Sequence, residues 1–189
     1  LLDLAFSLSR KDAHKIQNNT SINDTRFSLN SYNSSSGNFS FNNNTQINDG
    51  TVSVRVSFTD DLSNSNTSSP RTFVVDNTRP QMAFVQPPPN GNFSSNFLIN
   101  ISANDTTSGV SFVNYRVENG SGNITPWNDM TLTGTINQGY WNATVIISPL
   151  ADGLYNISSN SSDFAGNTNA SVVRQFRVDT NKPSVGIVR

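Results

Sequence analysis

The chain has 189 residues, with 12 Lys plus Arg against 13 Asp plus Glu, a net charge of −1 and 13% charged residues, about half the usual share for a soluble domain. Charge so sparse and balanced excludes the concentrated basic patches that nucleic acids and anionic membrane surfaces require. With no Cys and His14 as the single histidine, a disulfide framework, a thiolate metal site, a Cys nucleophile and a multi-His zinc centre are excluded as well.

Asn, Ser and Thr together supply 74 of the 189 residues, so solubility rests on amides, hydroxyls and whatever is attached to them. Helical periodicity is scarce, whereas two-residue alternation recurs between clusters of Asn, Gly, Ser, Asp and Pro; the chain is predicted to be all-β. No apolar run approaches the roughly 20 residues that span a bilayer, so direct membrane insertion is not expected. The N-terminus lacks the basic, apolar and small-residue order of a signal peptide.

Along the chain, Leu4, Phe6 and Leu8 alternate ahead of Asp12. His14, in KDAHKI, is expected to face solvent in a short turn or helix. In VSVRVSF, Val52, Val54, Val56 and Phe58 fall on one face while Ser53, Arg55 and Ser57 fall on the other, the pattern of a half-buried strand. Further on, FLINISA directs Phe97, Ile99, Ile101 and Ala103 inward, SFVNYRV directs Val113, Tyr115 and Val117, and YWNATVII directs Trp141, Ala143, Val145 and Ile147. LYNIS and RQFRV add Tyr155, Ile157, Phe176 and Val178.

Residues 49–80 repeat in residues 152–183 at a constant offset of 103, with 11 identities in 32 positions and no gap, among them Asp49/Asp152, Gly50/Gly153, Asp60/Asp163, Arg71/Arg174, Phe73/Phe176, Asp76/Asp179 and Pro80/Pro183. An internal repeat of about 100 residues, built from some seven short strands with turns every 8 to 12 residues, suits an immunoglobulin-like sandwich. FVVDNTRP and FRVDTNKP are then a last strand followed by a linker, the proline ending the ladder.

The blocks ANDTTSGV, VNYRVENG, TPWND, DGLYNIS, SDFAGN and FRVDTNKP run in the order found in the tandem immunoglobulin-like repeats of large bacterial and archaeal surface proteins, which the chain resembles well over residues 80–183 and fairly over 49–80. The resemblance implies the fold and says little of a ligand. It places Trp127 in the family's usual packing position, so Trp127 is expected in the core, as alternation requires of Trp141. Gly109 suits the positive φ of a tight turn, Tyr155 the tyrosine corner near the start of the sixth strand, and Asp163 with Gly166 and Asn167 a hairpin tip. In the first unit Val52 stands at the tyrosine position and Ser63 at the glycine position.

The predicted organisation is therefore two tandem sandwiches, residues 1–79 and 80–180, the first lacking its opening strand. Leu4, Phe6 and Leu8 with Asp12 match Phe97, Ile99 and Ile101 with Asp105, so the chain starts at a second strand. Residues 181–189, with Pro183, Val185 and Ile187, match the opening strand of a following unit. Either the chain is an excerpt of a longer array, or this strand completes the sandwich of the next copy by β-strand complementation, giving a head-to-tail homopolymer.

Sixteen Asn-x-Ser/Thr motifs occur, where chance pairing of this composition gives about 7. Asn18 and Asn19 are too close for both to carry a glycan; N-glycans are expected among Asn23, Asn33, Asn38, Asn43, Asn66, Asn92, Asn100, Asn104, Asn119, Asn123, Asn142, Asn156, Asn160 and Asn169. Strand parity turns Asn100, Asn142 and Asn156 outward, and glycans would also blunt exposed strand edges.

Asp60, Asp61, Asp76, Asp105, Asp163 and Asp179 could be imagined as calcium ligands, but their spacing matches no closed loop motif and turn capping is the commoner use of such acids. No cofactor or metal is expected. No nucleophile elbow or carboxylate pair stands out, and catalysis is not expected. A sugar platform on Trp127, Tyr140 and Trp141 is outweighed by core packing of the two tryptophans. These features point to a structural unit of a glycosylated extracellular filament or cell-surface array of archaeal or bacterial type. The alternatives are an adhesin stalk, a carbohydrate-binding module, or accessory domains of an extracellular hydrolase.

Overall fold

The computed structural model describes residues 3–7, 20–21, 27–33, 38–43, 47–55, 57–59 and 64–186, and the chain divides into two compact units, Leu1–Val75 and Asp76–Arg189. Every regular element among the described residues is a strand, and no helix among them is long and apolar enough to cross a membrane.

In the first unit, β1 (Asp3–Ser7), β3 (Phe27–Asn33) and β4 (Asn38–Asn43) form a sheet in the order β1-β4-β3. β2 (Thr20–Ser21), β6 (Ser57–Thr59) and β7 (Ser65–Thr67) form a second, and β5 (Gly50–Val54) pairs with β8 (Arg71–Val75). Leu4 and Phe6 lie in β1, while Leu8, Asp12, His14, Val56 and Ser63 fall outside the described residues. Val54 and Ile47 are buried and Ser53 and Arg55 exposed, the alternation expected of that strand.

The second unit is a two-sheet sandwich. β9 (Gln81–Gln86), β11 (Phe97–Asn104), β15 (Thr131–Gly134) and β16 (Gln138–Val145) form one sheet in the order β15-β16-β11-β9. The other runs β10-β18-β17-β12-β13, from β10 (Gly91–Phe93), β12 (Val110–Asn119), β13 (Gly122–Asn123), β17 (Gly153–Asp163) and β18 (Thr168–Val178), with β14 (Asn128–Asp129) also on β12. The opening stretch thus serves both sheets: β9 pairs antiparallel with β11, and β10 pairs parallel with β18.

The repeat is reproduced in hydrogen-bond register. Gly50 faces Val75 and Val54 faces Arg71 in the first unit; Gly153 faces Val178 and Ile157 faces Arg174 in the second. Ser57/Thr67 and Asn160/Ala170 obey the same offset of 103. Register is set by which residues must face the core, so its recurrence means that the two units share these pairings, which run along β17 and β18 in the second and are divided between β5/β8 and β6/β7 in the first.

The second core forms where the alternation placed it. Ile99, Ile101, Val113, Ile157 and Phe176 are fully enclosed, joined by Phe97, Ala103, Val110, Val117, Trp141, Val145, Ile147, Tyr155 and Val178. Each large aliphatic or aromatic side chain so buried contributes about 1.5–3 kcal/mol. Phe176 is central: Phe97 meets it edge-on at 5.0 Å and Tyr155 stacks at 5.5 Å. Trp127 departs from expectation. It is 39% exposed, because it lies in the irregular stretch between β13 and β14, and the Arg116 guanidinium sits 4.6 Å above its ring. Trp141, by contrast, is buried as expected.

Candidate functional site

Asp105 follows β11 and keeps the inward parity of Ile99, Ile101 and Ala103; it is 4% exposed. Its Oδ1 accepts the amides of Thr107 at 3.1 Å, Ser108 at 3.0 Å and Gly109 at 3.0 Å. Wrapping three successive amides around one oxygen demands a sharp turn, and Gly109 supplies it with φ +85°. Asp163 closes β17 in the same inward parity, 3% exposed. It accepts the Asn167 amide at 2.8 Å on Oδ1 and the Asn167 side-chain Nδ2 at 2.9 Å on Oδ2, within a hairpin whose tip residue Gly166 has φ +90°.

Asp76 brings in the stretch ahead of β9. Its Oδ1 accepts the Thr78 amide at 2.9 Å, its Oδ2 accepts the Ser108 amide at 3.1 Å, and its carbonyl accepts Asn167 Nδ2 at 3.0 Å. Asn169 Nδ2 fixes the end of that stretch by donating to the Pro80 carbonyl at 2.8 Å. One carboxylate oxygen from each of Asp76, Asp105 and Asp163 lies within 4.8 Å of the others. Among the described residues none of the three makes an ion pair, and the buried Ser108 Oγ in the same turn has no hydrogen-bond partner.

The cluster can act in two ways. As turn caps, the carboxylates satisfy main-chain amides that burial would otherwise orphan. As ligands, they match a hard divalent cation: calcium takes oxygen donors at about 2.4 Å, and two ligands of one such ion stand at most about 4.8 Å apart. Of the six acids raised by the sequence, these three are brought together and Asp179 is not; Asp60 and Asp61 lie outside the described residues. The convergence is hidden in sequence because the three positions lie 29 and 58 residues apart. The signal that could have found it is the inward parity of two acids at the ends of core strands.

A second clasp ties down the segment after β18. Asp152 Oδ1 accepts both the Thr180 amide at 2.9 Å and the Thr180 hydroxyl at 2.7 Å, and Oδ2 accepts Asn181 Nδ2 at 2.5 Å. Thr180's hydroxyl and amide, with help from Asn181, hold the exposed Asp152 carboxyl below its ordinary value of 3.8. Nearby, Tyr155 Oη donates to the Ala151 carbonyl at 2.9 Å, the tyrosine corner expected there. On the next strand, burial pushes the Tyr115 phenol above its usual 10.0.

The expected glycan acceptors occupy varied surroundings. Asn66, Asn92, Asn104 and Asn123 are exposed; Asn100, Asn119, Asn142, Asn156, Asn160 and Asn169 are half-buried. Asn33, Asn38 and Asn43 lie in β3 and β4, and Asn23 falls outside the described residues. Asn100, Asn142 and Asn156 sit on outward positions between inward neighbours, as parity required. Val185 of the expected strand-exchange segment is 93% exposed and Pro183 is exposed, whereas Ile187 lies outside the described residues. A recess of about 230 Å³ lined by Tyr115, Val117, Val145, Ile146 and Leu150 among others offers neither carboxylate nor imidazole.

Two family descriptions match the chain: Bacterial Ig-like domain over residues 3–77 and Bacterial Ig domain over residues 80–158. Domains of this kind are typically non-catalytic accessory modules. No curated protein matches the chain. Among solved structures it is similar to the endo-beta-1,4-mannanase of Thermotoga petrophila (11% identity, TM-score 0.44), covering 56% of this chain and 21% of the mannanase, so the chain spans about a fifth of that enzyme. It is also similar to fibronectin(III)-like modules of Clostridium thermocellum CbhA (12%, TM-score 0.41, covering 93% and 84%). The SrpA adhesin of Streptococcus sanguinis follows, at 15% identity and TM-score 0.33 over 56% of this chain and 59% of the adhesin.

Proposed function

Because the chain is a tandem of two bacterial immunoglobulin-like domains, we propose that it serves as a repeated structural unit of a glycosylated cell-surface or extracellular array. The observation that carries this reading is the recurrence of one set of strand pairings, in one register, followed by one Asp-x-x-x-Pro linker at a fixed offset of 103. Such regularity serves stacking of equivalent units. N-linked glycans on the expected acceptors would supply the hydration that so few charges cannot, and would keep sheet edges from pairing nonspecifically.

The same offset sets Val185 and Ile187 opposite Met82 and Phe84, which pack against the core of their own unit. In this reading the segment from Pro183 onward seats as the opening strand of a sandwich in another copy, main-chain bonds giving affinity and alternate side chains giving fit. Antibodies raised against the second unit should label intact cells. Labelling only after lysis would overturn the surface reading, and assembly unaffected by deletion of residues 181–189 would overturn the strand-exchange part of it.

The carboxylate cluster favours a second reading, compatible with the first, in which a divalent cation binds Asp76, Asp105 and Asp163. It is supported by their common 4.8 Å sphere, the absence of an ion pair to them among the described residues, and the unpartnered Ser108 Oγ beside them. Isothermal titration with calcium tests it, binding by the intact chain being lost in Asp163→Asn.

A further inference from the structure

Three strand acceptors of the second unit, Asn100, Asn142 and Asn156, have a large apolar side chain two residues before them, on the same outward face. Leu98 precedes Asn100, Tyr140 precedes Asn142 and Leu154 precedes Asn156, and these three are 50%, 51% and 50% exposed. Residues i and i+2 of a strand stand about 6.6 Å apart on one face, within reach of a sugar joined to the Asn. Exposed apolar residues beside acceptors are therefore positioned to be covered by what the acceptors carry.

Two of these acceptors compete. Asn100 and Asn142 are direct cross-strand partners of β11 and β16, and Asn100 Nδ2 donates to Asn142 Oδ1 at 2.9 Å. Side chains so paired have Cβ atoms only about 4.5–5.5 Å apart, and two sugars cannot stand side by side at that spacing over a pleated sheet. The two positions are not equivalent. Asn100 Oδ1 is closed to solvent without a partner, whereas Asn142 Nδ2 donates to Thr133 Oγ1 at 3.1 Å and to the Tyr140 carbonyl at 3.5 Å, the second a long, weak bond that substitution can give up. Tyr140 gives Asn142 an aromatic face on which the C–H face of a pyranose can lie, whereas Leu98, opposite Thr144 on the far side of the Asn100–Asn142 pair, offers Asn100 only an aliphatic one.

We propose that Asn142 carries an N-linked sugar seated on the Tyr140 ring, and that this sugar keeps Asn100 unmodified; the proposal rests on the reading of the chain as N-glycosylated. In the transfer step a bond forms between Asn142 Nδ2 and the anomeric carbon of an activated sugar phosphate. The anomeric C–O bond breaks, the phosphate leaves with its electron pair, and Nδ2 gives up one of its two protons. The remaining N–H still serves Thr133, and Oδ1 still accepts from Asn100, so the existing side-chain ladder survives modification.

Site-by-site glycopeptide mass spectrometry of the full chain, made in a host with N-glycosylation, tests the assignment. Asn142 should be occupied and Asn100 empty, and Asn142→Gln should raise the occupancy of Asn100 several-fold. Occupancies of the two sites summing above one, or Asn100 occupied in preference, would overturn it, as would an Asn100 still empty in Asn142→Gln. A chain bare at every acceptor would instead remove the glycosylation reading itself. Enzymatic removal of the glycan should lower the melting temperature by about 2–4 °C in the wild type and by less than half that in Tyr140→Ala; equal losses would overturn the stacking.

Discussion

The Ser108 amide donates to Asp105 Oδ1 at 3.0 Å and to Asp76 Oδ2 at 3.1 Å, one N–H shared by two carboxylates 29 residues apart. Asp105→Ala leaves the amides of Thr107, Ser108 and Gly109 without that acceptor, at about 1–3 kcal/mol for each donor left buried. Relief of like-charge repulsion, about 3 kcal/mol per neighbouring carboxylate near 4.8 Å at an effective dielectric of 20, offsets part of it. Asp105→Asn separates the two effects, because it relieves the repulsion and keeps one acceptor oxygen: by chemical denaturation Asp105→Ala should lie about 2–6 kcal/mol below it, the cost of leaving the Thr107 and Gly109 amides without an acceptor while the Ser108 amide keeps Asp76.

Calcium should raise the melting temperature of the wild type and leave that of Asp76→Asn nearly unchanged, because the substitution removes one of three converging carboxylates. Magnesium, which demands a tighter octahedral shell and sheds water reluctantly, should have the smaller effect. Scanning calorimetry with chelator, calcium and magnesium in turn checks both statements.

Asp152 predicts a pH response. Its folded value is lowered by Thr180 and Asn181, so its contribution is fully present above the unfolded value of about 3.8 and is lost as pH falls through the folded one. The amide resonances of Thr180 and Asn181 should therefore hold steady down to about pH 4 and shift below it. In Asp152→Asn that acid transition should be absent from both amides.

The two tryptophans predict separable fluorescence. Trp141 is buried and Trp127 is 39% exposed under Arg116. Trp127→Phe should leave a blue-shifted emission resistant to iodide, whereas Trp141→Phe should leave a red-shifted one that iodide quenches. Arg116→Ala should raise quenching of Trp127 further by uncovering its ring.

These residues also show what the sequence discloses and what it hides. Phe97, Ile99, Ile101 and Trp141 were legible because a sandwich strand has one wet and one dry face, so period-two alternation reports burial directly. Gly109, Gly166 and Tyr155 were legible because their turns admit few residue types. Trp127 was not, since it lies where no strand imposes parity and a neighbouring guanidinium substitutes for core contacts. Nor was the meeting of Asp76, Asp105 and Asp163, which is made by three turns that only the closed sandwich brings together. Half-burial of Asn100 and Asn142 was likewise hidden: parity gives the face of a side chain, while its cross-strand neighbours decide how much of it water can reach.

The parallel ladder of β10 on β18 has a mechanical consequence. Gly91, Asn92 and Phe93 lie beside Phe176, Arg177 and Val178, flanked by bonds from the Asn90 amide to the Gln175 carbonyl at 3.0 Å and from the Asp179 amide to the Phe93 carbonyl at 3.1 Å. These are the entering and departing segments of one unit, side by side and pointing the same way. Tension on the two ends slides them past each other along their common axis, so every bond across the seam is sheared at once. A hairpin pulled open at its end gives way bond by bond at low force, whereas this seam takes the load across its bonds together, and does so even once β9, which enters ahead of it, is drawn off β11.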